Sequence, residues 1–174
     1  MRLNTQVSEY DCATTSLLNS LKILYKKDEI PITIIRIILR NTLDCKNKII
    51  GDCGTSKKRM KKICKKINNY SKQINFNLNM KYFNKDMCNI NLIKNCINNN
   101  GVVIVRSILE LEHYYLITGI DDNDIYIWDP YIESQIYNTY NIKLPIKNID
   151  NEEENNYSLG PIHNREIILV IKDC

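Results

Sequence analysis

Apolar positions set the first reading of this chain. Leu17, Leu18, Leu21, Leu24 and Tyr25 recur at helical spacing and predict a helix that opens at Cys12 and buries one face. Residues 31–43 begin with Pro31 and put Ile34, Ile35, Ile38 and Leu39 on one side. Proline suits the first turn of a helix, but the run is β-branched, so periodicity leaves helix and strand both open. Residues 57–68 carry Met60, Ile63, Cys64 and Ile67 on one face, with Ser56 as the N-cap. Residues 75–83 read as a short strand or a loop. Residues 89–98 predict a helix bearing Ile90, Ile93, Cys96 and Ile97. Asn98-Asn-Asn-Gly101 closes it, glycine being the usual residue past a helix end.

The period then shortens to that of strands. Residues 102–107 predict a strand and residues 108–112 a turn. His113-Tyr-Tyr-Leu-Ile-Thr-Gly-Ile120 and Ile125-Tyr-Ile-Trp128 flank the polar Asp121-Asp-Asn-Asp124 and predict a β-hairpin. His113 opens one strand and Asp129 follows the other, so antiparallel pairing brings the two side by side. Trp128 points to the face opposite Asp129 and is expected in the core. Tyr131, Ile136, Tyr137 and Tyr140 are expected to continue the sheet, residues 151–156 to form an acidic loop, and residues 167–171 to form the last strand. Helices first and an antiparallel sheet afterwards predict one α+β domain over residues 1–174.

Composition adds bounds. A chain of 174 residues with 44% apolar content can bury a sizeable core. The longest apolar run, residues 30–39, is broken by Pro31, Thr33 and Arg36 and falls short of the ~20 residues of a membrane span. Met1-Arg2-Leu3 runs straight into the Gln6 loop without a secretory signal, so a cytoplasmic protein with no membrane partner is expected. The seven cysteines (Cys12, Cys45, Cys53, Cys64, Cys88, Cys96 and Cys174) contain no CxxC pair and match no common zinc spacing. An oxidising medium would allow a Cys45–Cys53 disulfide, whereas a cytoplasmic one favours free thiols. The helix over 57–68 is basic outside its apolar face, with Lys57, Lys58, Arg59, Lys61 and Lys62 in its first turns. That pattern fits a solvated face, or a docking surface for an acidic partner such as a carrier protein. Nucleic acid is not expected as a partner, because Tyr70 is the only nearby aromatic and no recognition motif is present.

The candidate chemistry lies on Cys12. A thiol at the start of a helix sits in the positive end of the helix dipole, which favours the thiolate. Six residues earlier, Gln6 offers a neutral donor suited to an oxyanion. The chain has two histidines, His113 and His163. His113 has Asp129 placed to orient it. His163 lies in a loop before the last strand with no such partner and reads as a surface residue. Asp11 reads as a group that holds the loop by hydrogen bonding, because a carboxylate beside a thiolate opposes its formation. Glu110 and Glu112 read as exposed loop charges.

Gln6-Val-Ser-Glu-Tyr-Asp-Cys12, Gly54-Thr-Ser56, His113-Tyr114 and Asp129-Pro130 together resemble the bacteriocin-processing C39 peptidases of the papain-like superfamily. The resemblance spans roughly residues 1–135, with Ala13 standing where the family usually has glycine. It implies a papain-like cysteine protease fold, selects helix for residues 31–43, and puts the Gly54 loop near a substrate cleft. It also implies a catalytic triad of Cys12, His113 and Asp129, with the Gln6 side chain and the Cys12 backbone N–H as oxyanion hole. No metal or cofactor is required by that chemistry.

The acyl acceptor stays open at this point. Water would give a peptidase that cleaves leader peptides after double glycine. An amine would give a transferase that forms amides from carrier-protein thioesters in natural-product biosynthesis. The missing exporter and the basic helix incline the expectation to the transferase. A non-catalytic peptide-binding domain of the same fold ranks last, because all three triad members are present.

Overall fold

In the computed structural model, which describes residues 3–46, 49–50, 53–109, 111–133 and 138–173, helices lead and a sheet follows. In chain order the elements are α1 (Cys12–Leu24), α2 (Ile32–Asn41), β1 (Cys45–Lys46), β2 (Ile49–Ile50), α3 (Lys57–Gln73), β3 (Leu78–Asn84), α4 (Ile90–Asn98), β4 (Val102–Leu109), β5 (Leu111–Ile120), β6 (Asp124–Trp128), β7 (Ile142–Pro145) and β8 (Glu166–Lys172). β1 and β2 form a small ribbon. The other six strands make one antiparallel sheet in the order β3-β8-β4-β5-β6-β7.

Strand alternation sends side chains to two cores. Ile104, Leu116, Trp128, Ile168 and Val170 face Leu17 and Leu21 of α1, Ile34 and Ile38 of α2, and Met60, Ile63 and Ile67 of α3. Val103, Val105, Tyr115, Ile117, Ile127, Ile167 and Leu169 face Ile93 and Cys96 of α4, together with Ile149 and Leu159. Each fully buried Ile or Leu stabilises the fold by about 1.5–3 kcal/mol. Helix α1 is buried on several sides, including its polar Ser16, Asn19 and Ser20, which fixes where its first residue, Cys12, lies.

Several expectations need correction. Of residues 31–43, Ile32–Asn41 form helix α2, with Pro31 at the N-cap, but Leu39 is 56% exposed and does not share the buried side of Ile34 and Ile38. The α3 helix continues to Gln73, past the expected 68. Residues 108–112 are mostly strand, because β4 and β5 stay in register through Ile108↔Glu112 and Leu109↔Leu111, and His113 is therefore the third residue of β5. The left-handed residue after α4 is Asn100 (φ 57°), not Gly101. Gly101 is needed for space: a Cβ there would lie 2.6 Å from Cys96 Sγ and 2.9 Å from Ile171 Cγ2. Among the described residues after Pro130 the sheet resumes at β7; Tyr131 is 68% exposed, and Tyr140 packs on Tyr126 with ring centroids 4.8 Å apart. The expectations for Ile136 and Tyr137 lie outside the described residues; Cys53 is a free thiol, so the disulfide that an oxidising medium would allow is not formed.

Candidate active site

The loop before α1 is built by Asp11. Its carboxylate accepts from the backbone N–H of Val7 (3.0 Å) and Ser8 (2.8 Å) and from the Ser8 hydroxyl (3.0 Å). That folds residues 7–11 into a tight loop and leaves Cys12 at the head of the helix, 5% exposed. The same loop is tied to the end of β6. Trp128 Nε1 donates to the Asn4 carbonyl at 3.0 Å, and the Gln6 backbone N–H donates to the Pro130 carbonyl at 2.8 Å. Gln6 and the Asp129-Pro130 segment are thus neighbours. The Gln6 Nε2 donates to the Ser8 carbonyl at 2.7 Å with one of its two hydrogens. Its Oε1 is buried with no partner among the described residues.

The hairpin does what its pattern predicts. Register pairs Leu116 with Trp128, so Asp129 lies one step beyond and reaches His113 on the diagonal. His113 Nε2 meets Asp129 Oδ1 at 2.7 Å. Cys12 lies close enough to the same imidazole to favour its charged form. Burial alone would lower the His113 pKa, but the hydrogen bonds and charges of Asp129 and Cys12 outweigh it and raise it to about 9. Asp129 is 2% exposed. Burial opposes its charge, yet His113, the Tyr157 hydroxyl and the Tyr131 N–H hold its carboxyl below the ordinary value. The Tyr157 hydroxyl donates to Oδ2 at 2.6 Å and the Tyr131 N–H to Oδ1 at 2.8 Å.

Two residues of this constellation escaped the sequence reading. Asn141 accepts from the Asp129 N–H at 2.8 Å and donates to the Asp129 carbonyl at 2.8 Å, which fixes the backbone that carries the carboxylate. Tyr157 comes from the far side of an exposed acidic loop. One available signal was an aromatic residue directly after the polar run 151–156.

A cavity of about 300 Å³ opens beside Cys12, lined by Tyr10, Cys53, Gly54, Thr55 and the carboxylates Glu9 and Glu112. The Gly-Thr-Ser segment is its opposite wall. Gly54 adopts φ +62°, a conformation glycine takes without strain. The Gly54 carbonyl accepts from the Asp44 N–H at 2.7 Å, and the Thr55 hydroxyl donates to the Thr42 carbonyl at 2.5 Å. Ser56 caps α3 as expected, its Oγ accepting from the Arg59 N–H at 3.3 Å.

Other candidates fall elsewhere. His163 is exposed in a short turn before β8, away from a carboxylate partner among the described residues. Glu112 is exposed, but it also pairs with the buried Arg106, so it is more than a loop charge. The basic start of α3 is divided. Lys57 Nζ donates to the Asn164 carbonyl at 2.7 Å and Arg59 pairs with Asp44, while Lys58, Lys61 and Lys62 stay exposed. Burial pushes the thiols of Cys64 and Cys88 up to about 12 and that of Cys96 to about 11. Those three are inert packing groups; Cys12 and Cys53 are the thiols that line a cavity. Among the described residues no three His, Cys, Asp or Glu side chains group as metal ligands.

The sequence profile of the Peptidase_C39 like family matches residues 1–159. The chain belongs to the C39-like peptidase family. The matched span holds Gln6, Cys12, the Gly54 loop, His113, Asp129 and Tyr157, and stops before β8. A crystal structure from Bacillus anthracis, described as a C39-like peptidase, superimposes on this C39-like chain with a TM-score of 0.63 at 13% identity, covering 99% of this chain and 96% of that one. At that identity the likeness concerns the fold, a papain-like α+β domain. No curated protein sequence matches the chain. No helix among the described residues is long and apolar enough to cross a membrane.

Proposed function

We propose that this chain is a thiol peptidase that works through an acyl-enzyme on Cys12. The Cys12 sulfur, its proton resting on His113, attacks the carbonyl carbon of a peptide bond. The carbonyl oxygen becomes an oxyanion held by the Cys12 backbone N–H and the Gln6 side chain. The bond to the amine breaks as His113 protonates the leaving nitrogen. Water then attacks the thioester, giving up a proton to His113, and the acid leaves with Cys12 restored. Asp129 orients the imidazole and stabilises its charged form throughout.

The observation that supports this reading most directly is the 2.7 Å contact of His113 with a buried Asp129, on an imidazole whose charge Cys12 also favours. Family membership supports hydrolysis, and the resemblance to bacteriocin-processing relatives points to leader peptides with double glycine as substrates. The small cavity beside Cys12 suits small residues at the cleaved bond.

A second reading, amide formation from a carrier-protein thioester, keeps the same acyl-enzyme and replaces water by an amine. The exposed Lys58, Lys61 and Lys62 near the cleft wall favour it, since they suit an acidic carrier. Intact-mass analysis separates the readings. Wild type and Cys12→Ala are incubated with double-glycine peptides, and separately with acyl-carrier thioesters with and without an amine. Cleaved peptide that depends on Cys12 is the expected result. A Cys12 adduct from the thioester alone, discharged to an amide by amine, would replace the peptidase reading with the transferase. No adduct and no cleavage in either set would leave a peptide-binding domain.

A further inference from the structure

We infer that Tyr157 is a positioning residue of this site: its hydroxyl grips Oδ2 of Asp129 so that Oδ1 is the oxygen presented to His113. The inference rests on the acyl-enzyme reading of Cys12. The two donors approach different oxygens of one carboxylate, Tyr157 at 2.6 Å and His113 at 2.7 Å, and together they fix its plane. The Tyr131 N–H adds a third contact on Oδ1 at 2.8 Å.

Tyr157 is itself held from several directions. Its ring meets Tyr115 edge-on, with centroids 5.4 Å apart and planes at 80°. Its carbonyl accepts from the Tyr115 hydroxyl at 2.9 Å, and its backbone takes the left-handed φ of 66°. The chain on either side is tied down as well: the Ser158 hydroxyl donates to the Glu153 carbonyl at 2.7 Å, and the Leu159 N–H to the Ile149 carbonyl at 2.8 Å. Burial and the Asp129 charge push the Tyr157 pKa well up, so the phenol stays a neutral donor over the working range.

The consequence is chemical. A buried carboxylate held by several donors stays ionised to lower pH than one that has lost a donor. Without the hydroxyl, Asp129 takes up a proton at higher pH, and His113 loses its support there. Packing alone would need only the ring.

Tyr157→Phe keeps the ring, the Tyr115 contact and the backbone bond. The measurement is the rate of Cys12 alkylation by iodoacetamide from pH 3 to 9, resolved by peptide mass, in wild type, Tyr157→Phe and Tyr126→Phe, whose hydroxyl bonds the exposed Asp121 instead. The acid limb is expected to move up by about half to one pH unit in Tyr157→Phe and to stay in place in Tyr126→Phe. In an Asp129→Asn background, Tyr157→Phe should produce no such shift. Superimposable limbs in wild type and Tyr157→Phe, with Cys12 reactive in both, would overturn the inference and leave the triad standing. An equal shift in Tyr126→Phe, or an undiminished one in the Asp129→Asn background, would overturn it too. Wild-type Cys12 reacting no faster than Cys53 at mildly acid pH would overturn both the inference and the acyl-enzyme reading.

Discussion

Asp129 carries a charge at 2% exposure, which is tolerable only because donors surround it. Against the effect of burial, its hydrogen bond and charge, together with Cys12, raise the His113 pKa to about 9. Asp129→Asn removes that charge and leaves burial, the largest influence on His113, unopposed by it. Turnover at neutral pH should then fall roughly 10²–10⁴-fold, the scale seen when the orienting acid of a triad is neutralised. The alkaline limb of the rate profile, set by loss of the His113 proton, should move to lower pH. A pH–rate series on both proteins checks the two effects together; an alkaline limb that stays in place would mean Asp129 only packs. His113 and Asp129 were legible in the sequence because a hairpin sets their proximity locally. Tyr157 was not, because its contact with Asp129 spans 28 residues and crosses an irregular loop.

At the scale of elements, the periodic segments were the readable ones. The buried faces of α1 and α3 and the strands around the hairpin follow directly from their apolar spacing. The errors came where tertiary contacts decide. Where residues 108–112 read as a turn, β4 and β5 stay paired through Ile108↔Glu112 and Leu109↔Leu111, a register that the short segment's own pattern does not reveal. The end of α4 shows the same lesson at Gly101. The residue looks like a helix stop, but Asn100 takes the left-handed conformation, and glycine is required because β8 and Cys96 close over it. Gly101→Ala would put a methyl 2.6 Å from Cys96 Sγ and 3.0 Å from the Cys96 carbonyl, so the helix end must shift. The expected loss is about 1–3 kcal/mol, the range for overpacking a filled core. Urea unfolding of the two proteins measures it, and Gly101→Ala together with Cys96→Ala should recover part of the loss. An Asn100→Gly variant should be nearly neutral, since that backbone already sits at a φ glycine favours.

For the whole molecule, Glu166 and His113 pull the pH of greatest stability to the acid side of neutral, and depressed carboxylates bound it from below. Glu166 is fully buried between strands, opposite Arg106 in register, with the Tyr114 hydroxyl donating to it at 3.1 Å. Burial raises its pKa to about 7, against the pull of Arg106, Tyr114 and Lys57. The Arg106 guanidinium forms its ion pair with Glu112, and Glu166 Oε2 is buried without a hydrogen-bond partner among the described residues. A carboxyl whose folded pKa lies above its unfolded value binds more protons when folded. Stability therefore falls as pH rises from about 4.5 to about 7, by about 3 kcal/mol at most. His113 is raised from 6.5 to about 9, so its contribution, also about 3 kcal/mol at most, is complete below 6.5 and is lost as pH rises through 9. Asp129 and Asp44 are held below the ordinary carboxylate value, and what they contribute is lost as pH falls through their folded pKa values. The melting temperature should thus peak near pH 5, where the carboxylates are ionised, Glu166 is still mostly protonated and His113 is fully charged. Thermal unfolding from pH 3 to 10 tests this. Glu166→Gln should flatten the decline between pH 4.5 and 7 and leave the later one, whereas His113→Asn should flatten the decline between 6.5 and 9. A peak at or above pH 8 in wild type would mean that water reaches Glu166 and that its surroundings are wetter than its full burial indicates.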